Sequence, residues 1–136
     1  MKELDITAVK ENLTEVTAFV DSQLEELNCT MKAIMQIDIA VEEIFINISS
    51  YAYHPETGPA TIRVSVIENP LSVVISFIDH GKPYDPLANP DPDVSLPANK
   101  RKIGGLGIFM VKKSMDDVSY EYKDGQNILT IKKSIA

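Results

Sequence analysis

The chain has 136 residues, of which 44% are apolar and 24% charged, and this balance predicts one globular domain over residues 1–136. Twenty acidic residues against thirteen basic ones give a net charge of −7, which disfavours direct nucleic-acid binding because it repels phosphate backbones. There is no apolar run of membrane-spanning length, no signal-peptide pattern at the start and only one cysteine. We therefore expect a cytoplasmic protein with no membrane contact.

Apolar periodicity predicts one strand and two helices in the first part of the chain. Residues 1–7 alternate apolar and acidic side chains, as in a half-buried edge strand. The helix that follows ends at Asn28. Thr30 caps a second helix, which ends near Pro55 because proline disfavours helical geometry in the residue before it. Each helix carries an apolar stripe at steps of three and four: Val9, Leu13, Val16, Val20, Leu24 and Leu27, then Ile34, Ile37, Val41, Ile44 and Ile48.

The period then changes to two. Residues 62–66 and 72–78 predict a hairpin around the turn Asn69-Pro70. Residues 79–102 have no periodicity and hold five of the eight prolines. A loop of this length inside a compact domain is usually functional, and we expect a lid at about residues 79–103.

The last part of the chain predicts a short helix and a second hairpin. The helix carries Ile108, Val111 and Met115, and the hairpin pairs residues 118–122 with 127–131. Helices and antiparallel strands in separate blocks predict an α+β fold rather than alternating βαβ units. We expect a two-layer α/β sandwich, with a mixed, largely antiparallel sheet covered on one face by about three helices.

Glu43 and Asn47 are the first candidate site residues. They lie one turn apart on the second helix and flank its buried face. A carboxylate beside an amide oxygen suits a general base next to a magnesium ligand. The alternative is a solvated helix face, which is the common location of both residue types.

A second candidate is Asp79-His80-Gly81-Lys82-Pro83, at the end of a predicted buried strand. A carboxylate at this position can accept a hydrogen bond from an exocyclic amine, and Gly81 allows a flat ring to approach the backbone. The alternative is a plain turn, because Asp, Gly and Pro are all turn residues.

The third candidate is the glycine-rich run Gly104-Gly105-Leu106-Gly107 at the start of a helix. Its free N–H groups and positive dipole end favour an anion, although a flexible hinge is an equally good interpretation. The basic residues just before it would meet a phosphate chain or lie in solvent: Lys100, Arg101 and Lys102. The common phosphate-loop, dinucleotide, zinc and serine-hydrolase patterns are absent from the sequence.

Taken in order, these three features resemble the ATP-binding domain of the GHKL superfamily, which has a Bergerat-type fold. The matching motifs are Glu-x-x-x-Asn from Glu43, Asp-x-Gly-x-Pro from Asp79, and Gly-x-Gly from Gly105. Within the superfamily the chain is most similar to the small bacterial anti-sigma-factor serine/threonine kinases of partner-switching modules. Residues 105–111 (Gly-Leu-Gly-Ile-Phe-Met-Val) and 115–118 (Met-Asp-Asp-Val) match the signature of that family, and Ala52-Tyr53 matches the end of its N-box.

The resemblance implies ATP and Mg²⁺ as cofactors and a role for each motif. Asn47 would bind Mg²⁺, and Glu43 would take the proton from a substrate serine. Asp79 would accept from the adenine amino group, with Gly81 below the ring and Pro83 completing the motif. The phosphates would lie against the glycine run and its basic neighbours: Gly104, Gly105, Leu106, Gly107, Lys100 and Arg101. Thr130, in the last strand, would lie near the adenine.

The resemblance also implies a homodimer and two protein partners, a sigma factor and an antagonist (anti-anti-sigma) protein that carries the target serine. Ser50 and Tyr51 depart from the Asn and His that the family often has before Ala-Tyr. Two other interpretations stay open: a non-catalytic regulator whose protein binding is gated by nucleotide, and a kinase that acts on a different signalling partner.

Overall fold

The computed structural model describes residues 1–68, 71–88 and 106–135. Its single sheet has five strands: β1 (Lys2–Thr7), β2 (Pro59–Ile67), β3 (Ser72–Asp79), β4 (Asp117–Lys123) and β5 (Gln126–Ser134). Their order across the sheet is β1-β2-β3-β5-β4, so the first strand lies at an edge, as the sequence predicts. All four pairings are antiparallel, a stricter pattern than the mixed, largely antiparallel sheet expected.

Three α-helices accompany the sheet: α1 (Leu13–Glu26), α2 (Met31–Tyr51) and α3 (Leu106–Ser114). Short 3₁₀ helices occupy Lys10–Asn12 and Pro86–Ala88. The side chain of Thr30 accepts a hydrogen bond of 3.1 Å from the Ala33 N–H, which confirms the predicted cap of α2. Asn28 ends the first helical segment in the left-handed region, at φ 55°. None of the helices in the described ranges is long and apolar enough to cross a membrane.

The core lies between the helices and one face of the sheet. On β3 and β5 alternate side chains are buried, and α2 packs against both α1 and α3. The largest fully buried side chains come from both layers: Phe45, Phe77, Leu24, Ile37, Ile44, Ile62, Ile75, Ile131, Val16, Val20, Val41 and Val73. This is the predicted two-layer α+β sandwich. It brings the C-terminal half of α2 next to the end of β3 and the start of β5.

Candidate functional site

A cleft of about 460 Å³, part of it open to solvent, lies between α2 and the sheet. Asn47 from α2 and Asp79 from β3 both line it, so the fold brings two of the predicted motifs together. Two further lining residues are polar, Lys82 in the loop after β3 and Asn127 on β5. The remaining walls are apolar and aromatic: Ile44, Ile48, Tyr51, Ala52, Phe77, Tyr84, Pro86, Tyr120 and Leu129.

Asp79 is the buried carboxylate of this cleft, with 4% of its surface exposed. Its Oδ1 accepts hydrogen bonds of 2.9 Å from the Gly81 N–H and 2.9 Å from the Asn127 side-chain amide. Its Oδ2 accepts none from the residues that the structure describes. One oxygen is therefore held by donors, and the other remains an acceptor for a bound group.

Gly81 permits a close backbone contact between the loop and the end of α2. A Cβ at this position would overlap the carbonyl of Ala52, whose oxygen accepts a 3.0 Å hydrogen bond from the Lys82 N–H. Tyr53 closes the same corner, because its hydroxyl donates to Pro59 O and accepts from the His80 N–H at 2.8 Å. These contacts set the position of Asp79 relative to α2.

Glu43, Asn47 and Gly107 form the other end of the site. A Cβ on Gly107 would overlap the Glu43 carboxylate, so the start of α3 lies directly against that side chain. Neither Glu43 nor Asn47 makes a side-chain hydrogen bond within residues 1–68, 71–88 and 106–135. The predicted base and the predicted magnesium ligand are thus both available to a bound group.

Burial raises the pKa of the Glu43 carboxyl, and the neighbouring charge of Glu42 raises it further. A half-buried carboxylate with a raised pKa and no hydrogen-bond donor is a better proton acceptor than an ordinary surface glutamate. The electrostatics therefore suit the role of general base.

Among the predicted residues that the structure describes, Asn47 and Asp79 line the cleft, whereas Glu43, Gly81, Pro83, Gly107 and Thr130 are not among its lining residues. Thr130 faces the opposite side of the sheet from Asn127 and Leu129, because side chains alternate along a strand. Its hydroxyl lies 3.1 Å from that of Ser76, so the structure does not bring Thr130 to Asp79. Pro83 is exposed just before Tyr84.

Part of the predicted phosphate-binding region falls outside the described residues. This applies to the candidate residues Lys100, Arg101, Gly104 and Gly105, and to all of the expected lid after residue 88. Leu106 is described only as the first residue of α3.

Asn127 is a site residue that the sequence analysis missed. It is 94% buried, pairs directly with Asp79 across β3 and β5, and contacts the loop that follows β3. The available signal was its alternation with Leu129 and Ile131, which places a polar residue at a core-facing position.

The fold is that of a histidine kinase-like ATPase domain. The model of that family matches residues 6–133, nearly the whole chain, and the chain belongs to this family within the GHKL superfamily.

Among curated proteins, the chain is 32% identical over 106 residues to the serine-protein kinase RsbW of Listeria monocytogenes. That match covers 74% of this chain and 66% of the relative. It is 28% identical over 95 residues to the serine/threonine-protein kinase BtrW of Bordetella bronchiseptica, covering 70% and 66% of the two chains. The matches thus span slightly less than two thirds of these relatives.

A solved structure shows the same fold. The RsbU and RsbW domains of a Mycobacterium tuberculosis protein superpose with a TM-score of 0.64 at 16% identity. The match covers 99% of this chain and 33% of that one.

Proposed function

We propose that this chain is an ATP-dependent serine/threonine protein kinase that phosphorylates a small antagonist protein and also sequesters a sigma factor. The observation that carries the proposal is that the site has two chemically different ends, one at Asp79 and one at Glu43 and Asn47. Within the described residues, Asp79 presents one oxygen without a donor at a largely apolar cleft, and Glu43 and Asn47, one helical turn apart, make no side-chain hydrogen bond. The relatives with printed kinase names support the reaction class.

ATP fits the described part of the cleft by its chemistry. The adenine would lie in the apolar part of the cleft with its amino group donating to Asp79 Oδ2. The phosphates would extend toward the start of α3, where helix N–H groups favour anions. Lys100, Arg101, Gly104, Gly105 and Leu106 are proposed for this end on the sequence motif alone.

Mg²⁺ fits the chemistry of the Asn47 amide, since this side chain lines the cleft and makes no hydrogen bond within the described chain. The ion would neutralise phosphate charge when bound. Glu43 would accept the proton of the attacking hydroxyl on its carboxylate, one turn before Asn47. Gly107 leaves room for that carboxylate.

Calorimetric titration with ATP, with and without Mg²⁺, tests the binding step. We expect metal-dependent binding, lost in large part in Asp79→Asn and weakened in Asn47→Ala. Asp117→Asn, which removes an exposed carboxylate on β4, is the matched control and retains binding. Absence of binding at millimolar ATP in the wild type would refute the proposed function.

Phosphoryl transfer tests the reaction. Glu43→Gln keeps the shape of the side chain and removes the base, so it binds ATP and transfers phosphate to a cognate antagonist at least about 100-fold more slowly. Glu42→Gln is the neighbouring control and retains transfer. If wild-type protein binds a partner in an ATP-dependent way and transfers no phosphate, the nucleotide-gated regulator is correct instead. A phosphorylated substrate outside sigma-factor control would identify a kinase of another signalling module.

A further inference from the structure

We propose that Asn127 is a positioning residue for base recognition, which holds Asp79 in the one orientation that selects a 6-amino purine. The inference deepens the proposed ATP binding and rests on it. Asn127 does not need to touch the nucleotide. It acts through the Asp79 carboxylate and through the loop that follows β3.

The side-chain amide of Asn127 is fully used by the protein. Its Nδ2 donates to Asp79 Oδ1 at 2.9 Å and to Lys82 O at 2.8 Å, with Gly81 O at 3.4 Å. Its Oδ1 accepts from the Tyr84 N–H at 3.1 Å and from the Tyr120 hydroxyl. The reverse amide orientation would place acceptor against acceptor and donor against donor, so the network determines which end faces Asp79.

This network decides which oxygen of Asp79 is offered to a ligand. Gly81 and Asn127 both donate to Oδ1, so rotating the carboxylate would cost two hydrogen bonds to a charged acceptor in a buried place. Oδ2 is left as an acceptor without a donor among the described residues. An exocyclic amine satisfies it, whereas the oxygen of a 6-oxo purine places two acceptors together.

Asn127 also connects the carboxylate to the beginning of the expected lid. Three backbone groups of the loop, from Gly81, Lys82 and Tyr84, bond to the same amide that orients Asp79. A change at Asn127 therefore loosens the base-recognition carboxylate and the loop together. The expected consequence is a loss of selectivity for the base, beyond any general loss of affinity.

The test compares ATP with ITP, its 6-oxo analogue, in the full chain. Asn127→Asp preserves the shape and the oxygen that accepts from Tyr84 and Tyr120, and replaces the donor that faces Asp79 with a carboxylate oxygen. At pH 8 we expect ATP affinity to fall about 10- to 100-fold while ITP affinity changes by less than about threefold. Gln126→Glu adds the same charge at the neighbouring position, whose side chain points to the other face of the sheet, and retains the wild-type ratio.

The pH profile separates positioning from a merely structural role. As pH falls, protonation of the introduced carboxyl restores a donor to Asp79 Oδ1. The ATP affinity of the variant, relative to wild type at each pH, therefore rises toward low pH. A structural role would weaken ATP and ITP equally at every pH.

Tyr120→Phe provides a second, milder variant if Asn127→Asp does not fold. It removes one of the two donors to Asn127 Oδ1, and we expect the ATP/ITP ratio to fall about two- to fivefold. Equal losses for both nucleotides, or an unchanged ratio in the folded variants, overturn the role of Asn127 while leaving ATP binding intact. A wild-type protein that binds neither nucleotide refutes the proposed function itself.

Discussion

The two ends of the candidate site differ in how completely their polar groups are hydrogen-bonded. Around Asp79 and Asn127, the Asn127 amide, the loop backbone groups and Asp79 Oδ1 are all hydrogen-bonded, and Asp79 Oδ2 alone lacks a donor among the described residues. Around Glu43 and Asn47, no side-chain hydrogen bond is made within the described chain. The first end is preorganised to accept one hydrogen bond at Asp79. At the second end, the Glu43 side chain packs against Gly107.

This difference has a physical reason. A nucleobase is recognised by the directions of its hydrogen bonds, so the site needs a rigid acceptor. A buried acceptor selects its partner because a wrong partner leaves it without a hydrogen bond. A phosphoryl group and its metal bring their own charges, so the protein needs free oxygen ligands there. The hydrogen-bonded end around Asp79 suits the nucleobase of a nucleotide, and the end with free oxygen ligands around Glu43 and Asn47 suits its phosphates.

Gly107→Ala would disturb the open end most strongly. Its Cβ overlaps the Glu43 carboxylate, so the base is displaced or α3 shifts. The overlapping atoms are the far end of a flexible side chain, so we expect the carboxylate to move aside at little cost in stability. Transfer should fall about 100-fold, while the free energy of unfolding changes by less than about 1 kcal/mol. Kinetic assays and chemical denaturation measure the two effects.

A double variant identifies the cause. In a Glu43→Ala background the overlap is gone, so the added Gly107→Ala costs no stability and stabilises α3 by about 0.5–1 kcal/mol. The same change in the free energy of unfolding in both backgrounds would contradict the contact with Glu43.

Tyr51→Ala tests the mouth of the cleft between the two ends. The rings of Tyr51 and Tyr84 lie 6.3 Å apart at 35°, and both line the cleft although they are 60% and 47% exposed. We expect about tenfold weaker ATP binding, because an exposed aromatic pair at a nucleotide site offers stacking area. Tyr51→Phe keeps the ring and binds normally. Equal affinity of the Ala variant would show that the pair plays no part in binding.

The pH dependence of transfer reports on Glu43. Its pKa is raised by burial and then by Glu42, and the proposed base would act only when deprotonated, so we expect activity to be lost as pH falls through that raised value. Glu42→Gln removes the like charge, lowers the pKa of Glu43 and moves the acidic limb of the rate profile to lower pH. An unmoved limb would assign it to another group.

Asp38 provides the smallest effect and lies outside the cleft. The Oδ1 atoms of Asp38 on α2 and Asp21 on α1 are buried without a donor in the described chain. Burial, and then contact with Asp21, raises the pKa of Asp38 to about 7. The folded state therefore retains a proton that the unfolded chain releases near pH 4, so this contribution to stability is lost as pH rises from about 4 to 7.

Asp38→Asn mimics the protonated form. We expect a Tm higher than that of wild type by a few degrees at pH 8 and unchanged near pH 4. Thermal melts across this pH range measure it. Equal Tm values at pH 8 would show that solvent already screens the pair. ATP binding stays unchanged, which distinguishes these unpartnered carboxyl oxygens from those of the cleft.

Local patterns were enough to predict most of the fold. The steps of three and four in α1 and α2, the Thr30 cap, the alternation in β2 and the greater burial of β3 are properties of neighbouring residues, and the structure confirms them. The spacing of Glu43 and Asn47 also follows from one helical turn.

The residues that complete the site depend on distant contacts. Asn127 meets Asp79 only because β5 inserts between β3 and β4 in a particular register. A shift of one residue reverses the face of every side chain, and for this reason Thr130 was a plausible prediction although the structure places it on the other face. Gly107 meets Glu43 only once α3 packs on α2.

The sequence by itself therefore determined the helices, the strands, the α+β class and the order of the nucleotide motifs, because these depend on periodicity and local geometry. Only the tertiary structure decided which oxygen of Asp79 lacks a donor among the described residues, which strand residue holds that carboxylate, and which residue lies against Glu43. Those outcomes depend on strand register and helix packing between residues as far apart as Asp79 and Asn127, and the free energy of such contacts has no local signature in the chain.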